Sequence, residues 1–154
     1  MRFSKTLISV FAAATPLICA NPASAQVVNF NGYYEEYKNV FCNAGGNSSC
    51  GLVFTAMAGY VMITDVSCLF TVSQPPAQTG FGVADSTAGA PLRRIEYFPA
   101  QIGNSQFGNT FYSAKFKTFF LFGPGKYPTI YVNMITVGTA QITCKIAGTN
   151  YPSS

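Results

Sequence analysis

Apolar and polar residues alternate along most of the chain, most clearly after Gly59. Val, Ile, Thr, Phe and Tyr dominate these runs, and Gly, Pro, Asn and Ser interrupt them at intervals. This pattern is typical of strands joined by turns, and no long stretch has the repeat of an amphipathic helix. We predict eight strands, at Tyr37–Cys42, Leu52–Ala56, Tyr60–Val72, Gly80–Asp85, Leu92–Phe98, Thr110–Phe122, Thr129–Val137 and Ala140–Ile146.

The longest run, 60–72, indicates which side chains face the core. One of its two alternating sets contains Asp65 and Ser67, so we expect the other set to point inward. Cys144 lies on the apolar side of a similar alternation in 140–146. The set in the longest run that we expect to face the core is Tyr60, Met62, Thr64, Val66, Cys68, Phe70 and Val72.

Turn-forming residues separate the predicted strands. Loops are predicted at Ser73–Thr79, Gly103–Gly108 and Gly123–Gly125, which are rich in Gly, Pro and polar residues. Gly138 and Thr139 lie between two apolar alternating runs and predict a tight hairpin. The last two strands should therefore be antiparallel neighbours.

Eight short strands without a helix predict an all-β fold, a single antiparallel β-sandwich. A jelly roll is preferred over an immunoglobulin-like arrangement, because the chain has no tryptophan and lacks the cysteine spacing of immunoglobulin domains. The segment 26–38 is left open between an edge strand containing Val27, Val28 and Phe30 and a helical turn at Tyr33–Tyr37. The tail 148–154 is expected to be frayed.

The first 25 residues have the order of a secretory signal peptide. Arg2 and Lys5 precede the apolar run Leu7–Ala14, and small residues at 23–25 predict cleavage after Ala25. The apolar run is shorter than the roughly 20 residues that a membrane span needs, so we expect no transmembrane segment. The remainder, 26–154, has the length of one domain, and we expect it to be secreted or periplasmic.

Four cysteines follow the predicted signal, and an even number in an exported chain favours disulfides. They allow three pairings. Cys42 and Cys50 flank a short flexible loop, whereas Cys68 and Cys144 lie in strand-like runs and are both expected to point inward. We predict Cys42 with Cys50 and Cys68 with Cys144, the latter as a bridge between the two sheets.

The ionisable residues exclude several classes of function. Of nine basic side chains two lie in the predicted signal, and the remaining seven against five acidic ones give too weak a charge for nucleic-acid binding. The chain has no histidine, so we expect no metal site and no cofactor. A glycosidase-like pair of carboxylates would have to come from Asp65, Asp85 and Glu96, because adjacent residues such as Glu35 and Glu36 point to opposite sides of a strand.

Aromatic residues supply the clearest candidates for ligand binding. Phe119 and Phe120 occupy opposite faces of a predicted strand, so one ring is exposed unless a second layer covers it. Tyr33, Tyr34 and Tyr37 form a second candidate patch, because tyrosine combines apolar area with a hydrogen-bonding hydroxyl. Core packing is the alternative for the phenylalanines, and a half-packed terminal segment is the alternative for the tyrosines.

Arg93 and Arg94 are the third candidate. They would form a basic patch with Lys115 and Lys117 if the two strands pair. The alternative is that these cations protect edge strands from aggregation.

These features favour a non-catalytic binding module whose ligand is a glycan or a protein surface. The alternative is a structural or assembly subunit, such as a homo-oligomer, which the high apolar content would suit. A paired-carboxylate hydrolase is the third hypothesis.

Overall fold

The computed structural model describes residues 26–43, 48–89 and 92–151, and these residues form strands and connecting turns without a helix. The predicted signal peptide lies outside the described residues. The strands are β1 (Gln26–Phe30), β2 (Tyr33–Cys42), β3 (Ser49–Val53), β4 (Tyr60–Val72), β5 (Pro76–Ala84), β6 (Leu92–Tyr97), β7 (Gln101–Gln106), β8 (Asn109–Phe122), β9 (Tyr127–Met134) and β10 (Ala140–Tyr151).

Two antiparallel sheets pack face to face, which confirms the predicted all-β sandwich. The six-stranded sheet has the order β1-β2-β10-β4-β8-β7, and the four-stranded sheet has the order β3-β9-β5-β6. Phenylalanine rings fill the space between them, with Phe81 5.3 Å from Phe120 and Phe98 4.5 Å from Phe116, centroid to centroid. Burial of each such side chain contributes roughly 1.5–3 kcal/mol to folding.

Several element boundaries differ from the prediction. The open segment 26–38 forms β1 and the start of β2, joined by a turn at Asn31 and Gly32 that have positive φ angles. Two positive φ angles are what a two-residue hairpin turn requires. The predicted loop Gly103–Gly108 instead pairs as the β7–β8 hairpin, and β10 continues to Tyr151 because its last residues pair with β4. The tail prediction was therefore wrong as far as Tyr151.

The hairpin predicted at Gly138 and Thr139 was also wrong. β9 belongs to the four-stranded sheet and β10 to the six-stranded sheet, so the connection crosses between sheets. It is held against the β4–β5 connection: the Thr139 amide donates to Ser73 Oγ (2.8 Å), and the Ile135 amide donates to the Pro75 carbonyl (3.1 Å). These bonds stabilise the crossing connection in place of a tight hairpin turn.

The core-facing set predicted in β4 is right only from Val66 onward. The register shifts between Ile63 and Asp65, and this bulge moves the following residues to the other face. Val61 and Ile63 are consequently buried, while Tyr60 is exposed, the reverse of the prediction. Period-two alternation cannot reveal a bulge.

Both predicted disulfides are present, but their positions differ from the expectation. Cys68 and Cys144 are directly paired residues of adjacent strands β4 and β10, so this bridge lies within the six-stranded sheet. Cys42–Cys50 connects β2 to β3 and is the bridge between the sheets.

The turn of the β7–β8 hairpin contains a residue poorly suited to its backbone. Phe107 has φ 50° and its side chain is 100% exposed. We expect Phe107→Asn to raise the free energy of unfolding by about 1 kcal/mol, because asparagine tolerates the left-handed region and no packing is lost. Urea denaturation measures this. The reciprocal Asn31→Phe should destabilise the β1–β2 turn by a similar amount, and a loss of stability in Phe107→Asn would contradict the turn assignment.

Candidate functional site

Three of the residues predicted from sequence lie on the outer face of the six-stranded sheet, with β10 and β4 between β2 and β8. Tyr33 and Tyr37 point outward from β2, and Phe119 points outward from β8 with 77% of its surface exposed. Leu69 and Leu121, on β4 and β8, are exposed on the same face. We call these five side chains and the charged groups between them the outer face.

Two ion pairs lie between the apolar side chains of the outer face. Lys145 Nζ is 3.0 Å from Glu35 Oε2, to which the Tyr33 hydroxyl donates at 2.5 Å. Lys117 Nζ is 2.5 Å from Asp65 Oδ1. Across the central strands the surface thus presents both signs of charge side by side.

The same contacts shift the acidity of these groups. The Tyr33 hydroxyl, and after it Lys145, lower the pKa of Glu35, while the bond to Glu35 raises the pKa of Tyr33. Lys117, followed by the Thr64 hydroxyl, lowers the pKa of Asp65. Both carboxylates are therefore ionised at neutral pH and act as acceptors rather than as general acids.

A shallow hollow of about 500 Å³ lies between the ion pairs. Irregularities of β4 and β10 meet there, since the register shifts at Ile63/Asp65 and at Ala147/Gly148. A side chain at Gly148 would overlap the Met62 carbonyl, so glycine permits the close approach of the two strands. The polar wall of the hollow consists of Tyr33, Thr64, Asp65, Ser67, Lys115, Lys145 and Thr149.

The other aromatic candidates face the core. Phe120 is 1% exposed, and the Arg94 guanidinium carbon lies 4.2 Å from its ring centroid. Tyr34 is buried and its hydroxyl donates to Glu36 Oε2 at 2.5 Å. Burial, together with this bond, raises the pKa of Tyr34. The structure therefore separates Tyr34 from Tyr33 and Tyr37, and Phe120 from Phe119.

The basic patch predicted for Arg93, Arg94, Lys115 and Lys117 does not form. Arg93 and Arg94 lie on β6 of the four-stranded sheet, whereas Lys115 and Lys117 lie on β8 of the six-stranded sheet, so the strands do not pair. Arg93 forms an ion pair with Asp85, and Arg94 covers Phe120 as described above. These arginines stabilise the edge of the sandwich.

The carboxylates considered for catalysis lie apart. Asp65 is on the outer face, Asp85 follows β5 and is bound by Arg93 and Lys126, and Glu96 accepts from the Thr118 hydroxyl at 2.5 Å. Lys126, followed by Arg93, lowers the pKa of Asp85. Within the described residues no three His, Cys, Asp or Glu side chains are grouped so that they could hold a metal ion.

Glu36 is a residue that the sequence interpretation treated only as the neighbour of Glu35. The structure buries its carboxylate completely, and the amide and hydroxyl of Thr55 donate to it at 3.0 and 2.9 Å. Thr55 follows β3, so Glu36 connects the two sheets across the sandwich. Alternation of Tyr34, Glu36 and Val40 along β2 was the signal that one carboxylate faces inward.

Comparison with known proteins finds no family model that matches the chain and no curated protein similar to it. Among residues 26–43, 48–89 and 92–151 there is no helix with the length and hydrophobicity to cross a membrane.

Proposed function

We propose that the protein is an exported, non-enzymatic binding module that recognises the surface of another protein through the outer face. The observation that carries this proposal is the exposure of Phe119. Its neighbours Phe120 and Phe122 are buried, so Phe119 is not needed for the core. A large aromatic ring held in water on a rigid strand is available for an intermolecular contact.

The character of the outer face favours a protein over a glycan. The face is a broad sheet surface, and exposed apolar groups alternate with the ion pairs between Glu35 and Lys145 and between Asp65 and Lys117. Protein interfaces combine aromatic anchors with charged groups that complement those of the partner, and the outer face offers both. The separation of Asp65, Asp85 and Glu96 supports the non-enzymatic interpretation.

Export is supported by the two disulfides, which are consistent with an extracellular or periplasmic location. The signal-like residues 1–25 agree with this. The strand order supports the jelly-roll interpretation: β2-β10-β4-β8 faces β3-β9-β5-β6, with β1 and β7 added at the edges of the first group. Jelly rolls host many functions, so the proposal rests on the outer face and not on the topology.

Selection of peptides from a displayed library on the immobilised protein tests the proposal. We expect selected peptides to bind Phe119→Ser about 30-fold more weakly than the unmodified protein, a loss of roughly 2 kcal/mol that is typical of an aromatic hot spot. Phe107→Ser is the matched control, because it removes a ring at the β7–β8 turn that is even more exposed than that of Phe119. Equal losses in the two variants, or no selected peptides, would overturn the proposal.

A specific feature favours the assembly alternative. β1 is an edge strand whose Val27, Val28 and Phe30 are exposed, and it has neither charge nor proline. Unprotected edges of this kind can pair with a second copy. Light scattering separates the alternatives: a monomer supports the binding module, whereas a dimer that Val28→Lys dissociates supports assembly.

A further inference from the structure

A second surface, on the opposite sheet, has different chemistry. The outward side of the four-stranded sheet contains a groove of about 560 Å³. At one end a row of polar side chains crosses three adjacent strands: Ser49 Oγ donates to Asn133 Oδ1 at 2.7 Å, and Asn133 Nδ2 donates to Gln78 Oε1 at 3.3 Å. These bonds fix the orientation of both amides. Gln78 is exposed, and its amide nitrogen takes part in neither of these two hydrogen bonds. This nitrogen can therefore donate a hydrogen bond to a ligand.

Two tyrosines form the middle of the groove. Tyr131 lies across Gly80, where any side chain would overlap its ring, and Tyr97 flanks Gly80 from the other neighbouring strand. Burial, followed by the neighbouring Tyr97 hydroxyl, raises the pKa of Tyr131 to about 12, so Tyr131 is neutral at physiological pH. Tyr97 is 59% exposed and offers an apolar ring beside a hydroxyl. Gly51, on the other side of Tyr131, leaves the floor open.

The remaining wall is apolar and is formed by Leu92, Ile95 and the turn at Ala88 and Gly89. Among the described residues that line the groove there is no Asp, Glu, Lys or Arg side chain. An anionic or cationic ligand would therefore be desolvated there without a compensating charge. A suitable ligand is neutral, has many hydroxyl groups, and also has an apolar side.

We propose that this groove binds a neutral carbohydrate. A sugar ring places its C–H face on Tyr97 and Ile95, and its hydroxyls exchange hydrogen bonds with the amides of Asn133 and Gln78. Amides suit this role because each donates and accepts. The orientation of Asn133 by Ser49 reduces the entropy lost on binding. The site is independent of the outer face, from which the sandwich core separates it.

Titration of the isotope-labelled protein, produced from its full coding sequence, with cellotetraose, maltotetraose and tetra-N-acetylchitotetraose tests the inference. With at least one of these sugars we expect the side-chain amide resonances of Asn133 and Gln78 to shift. Tyr97→Ala should weaken that sugar about tenfold, and the affinity should not depend on salt concentration.

Tyr37→Ala is the matched control, since it removes an exposed tyrosine from the other sheet. It should leave sugar affinity unchanged, as should Phe119→Ser, which separates this inference from the proposed function. Asn133→Ala provides a second groove variant if Tyr97→Ala does not fold. Absence of shifts with all three sugars, shifts outside the groove, or an equal loss in Tyr37→Ala would overturn the inference.

Discussion

Replacing both Cys68 and Cys144 with alanine should lower the free energy of unfolding by about 4.5 kcal/mol, on a chain-entropy model of the disulfide. The bridge joins residues separated by 76 positions, so its loss releases a large loop in the unfolded state. Both cysteines are buried where β4 and β10 pair, and loss of their packing acts in the same direction. Urea denaturation of the exported protein measures the change.

The matched control is removal of Cys42 and Cys50, which are separated by only 8 positions. The same model gives about 2.6 kcal/mol for that bridge. We therefore expect loss of Cys68–Cys144 to destabilise the protein more than loss of Cys42–Cys50, although Cys42–Cys50 is the bridge that joins the sheets. If the short-range bridge contributed as much as the long-range one, the entropic account would be contradicted.

Glu36→Ala should cost about 3 kcal/mol of stability. Its carboxylate is 0% exposed and accepts from the Tyr34 hydroxyl and from both the amide and the hydroxyl of Thr55. The substitution would leave the buried Tyr34 hydroxyl and the part-buried donors of Thr55 without their acceptor, which is costlier than the loss of an exposed hydrogen bond. Glu36→Gln should lose less, because one acceptor oxygen remains. Urea denaturation again provides the measurement.

Glu35→Ala is the control for Glu36→Ala. Glu35 is the adjacent residue, but its partners Lys145 and Tyr33 are on the solvent side of the sheet. Exposed pairs contribute at most about 1 kcal/mol. Equal effects of the two substitutions would mean that Glu36 does not connect the sheets as described.

The sequence predicted those structural features that depend on residues close together in the chain. Both ends of β4, the all-β class and both cysteine pairings were predicted from alternation, turn residues and loop flexibility. The bulge in β4 was not predicted, because its position depends on how Ile63 and Asp65 pair with β8 and β10. The crossing at Gly138 was missed for the same reason: the bonds to Ser73 that stabilise it come from a distant connection.

The candidate site was predicted only in part. Opposite faces for Phe119 and Phe120 follow from strand geometry alone, and the structure agrees. Which ring is buried required knowledge of the second sheet. The groove of Tyr97, Tyr131 and Asn133 could not be predicted, because its residues come from strands whose order is set by long-range pairing.

The most direct test of the central claim, that the outer face recognises a partner, is a map of backbone amide chemical shifts on addition of a selected peptide. If the outer face binds the peptide, the largest changes will fall at Tyr33, Asp65, Lys117, Phe119 and Leu121. Changes centred on the β7–β8 turn, on the β1 edge or on the four-stranded sheet would contradict it.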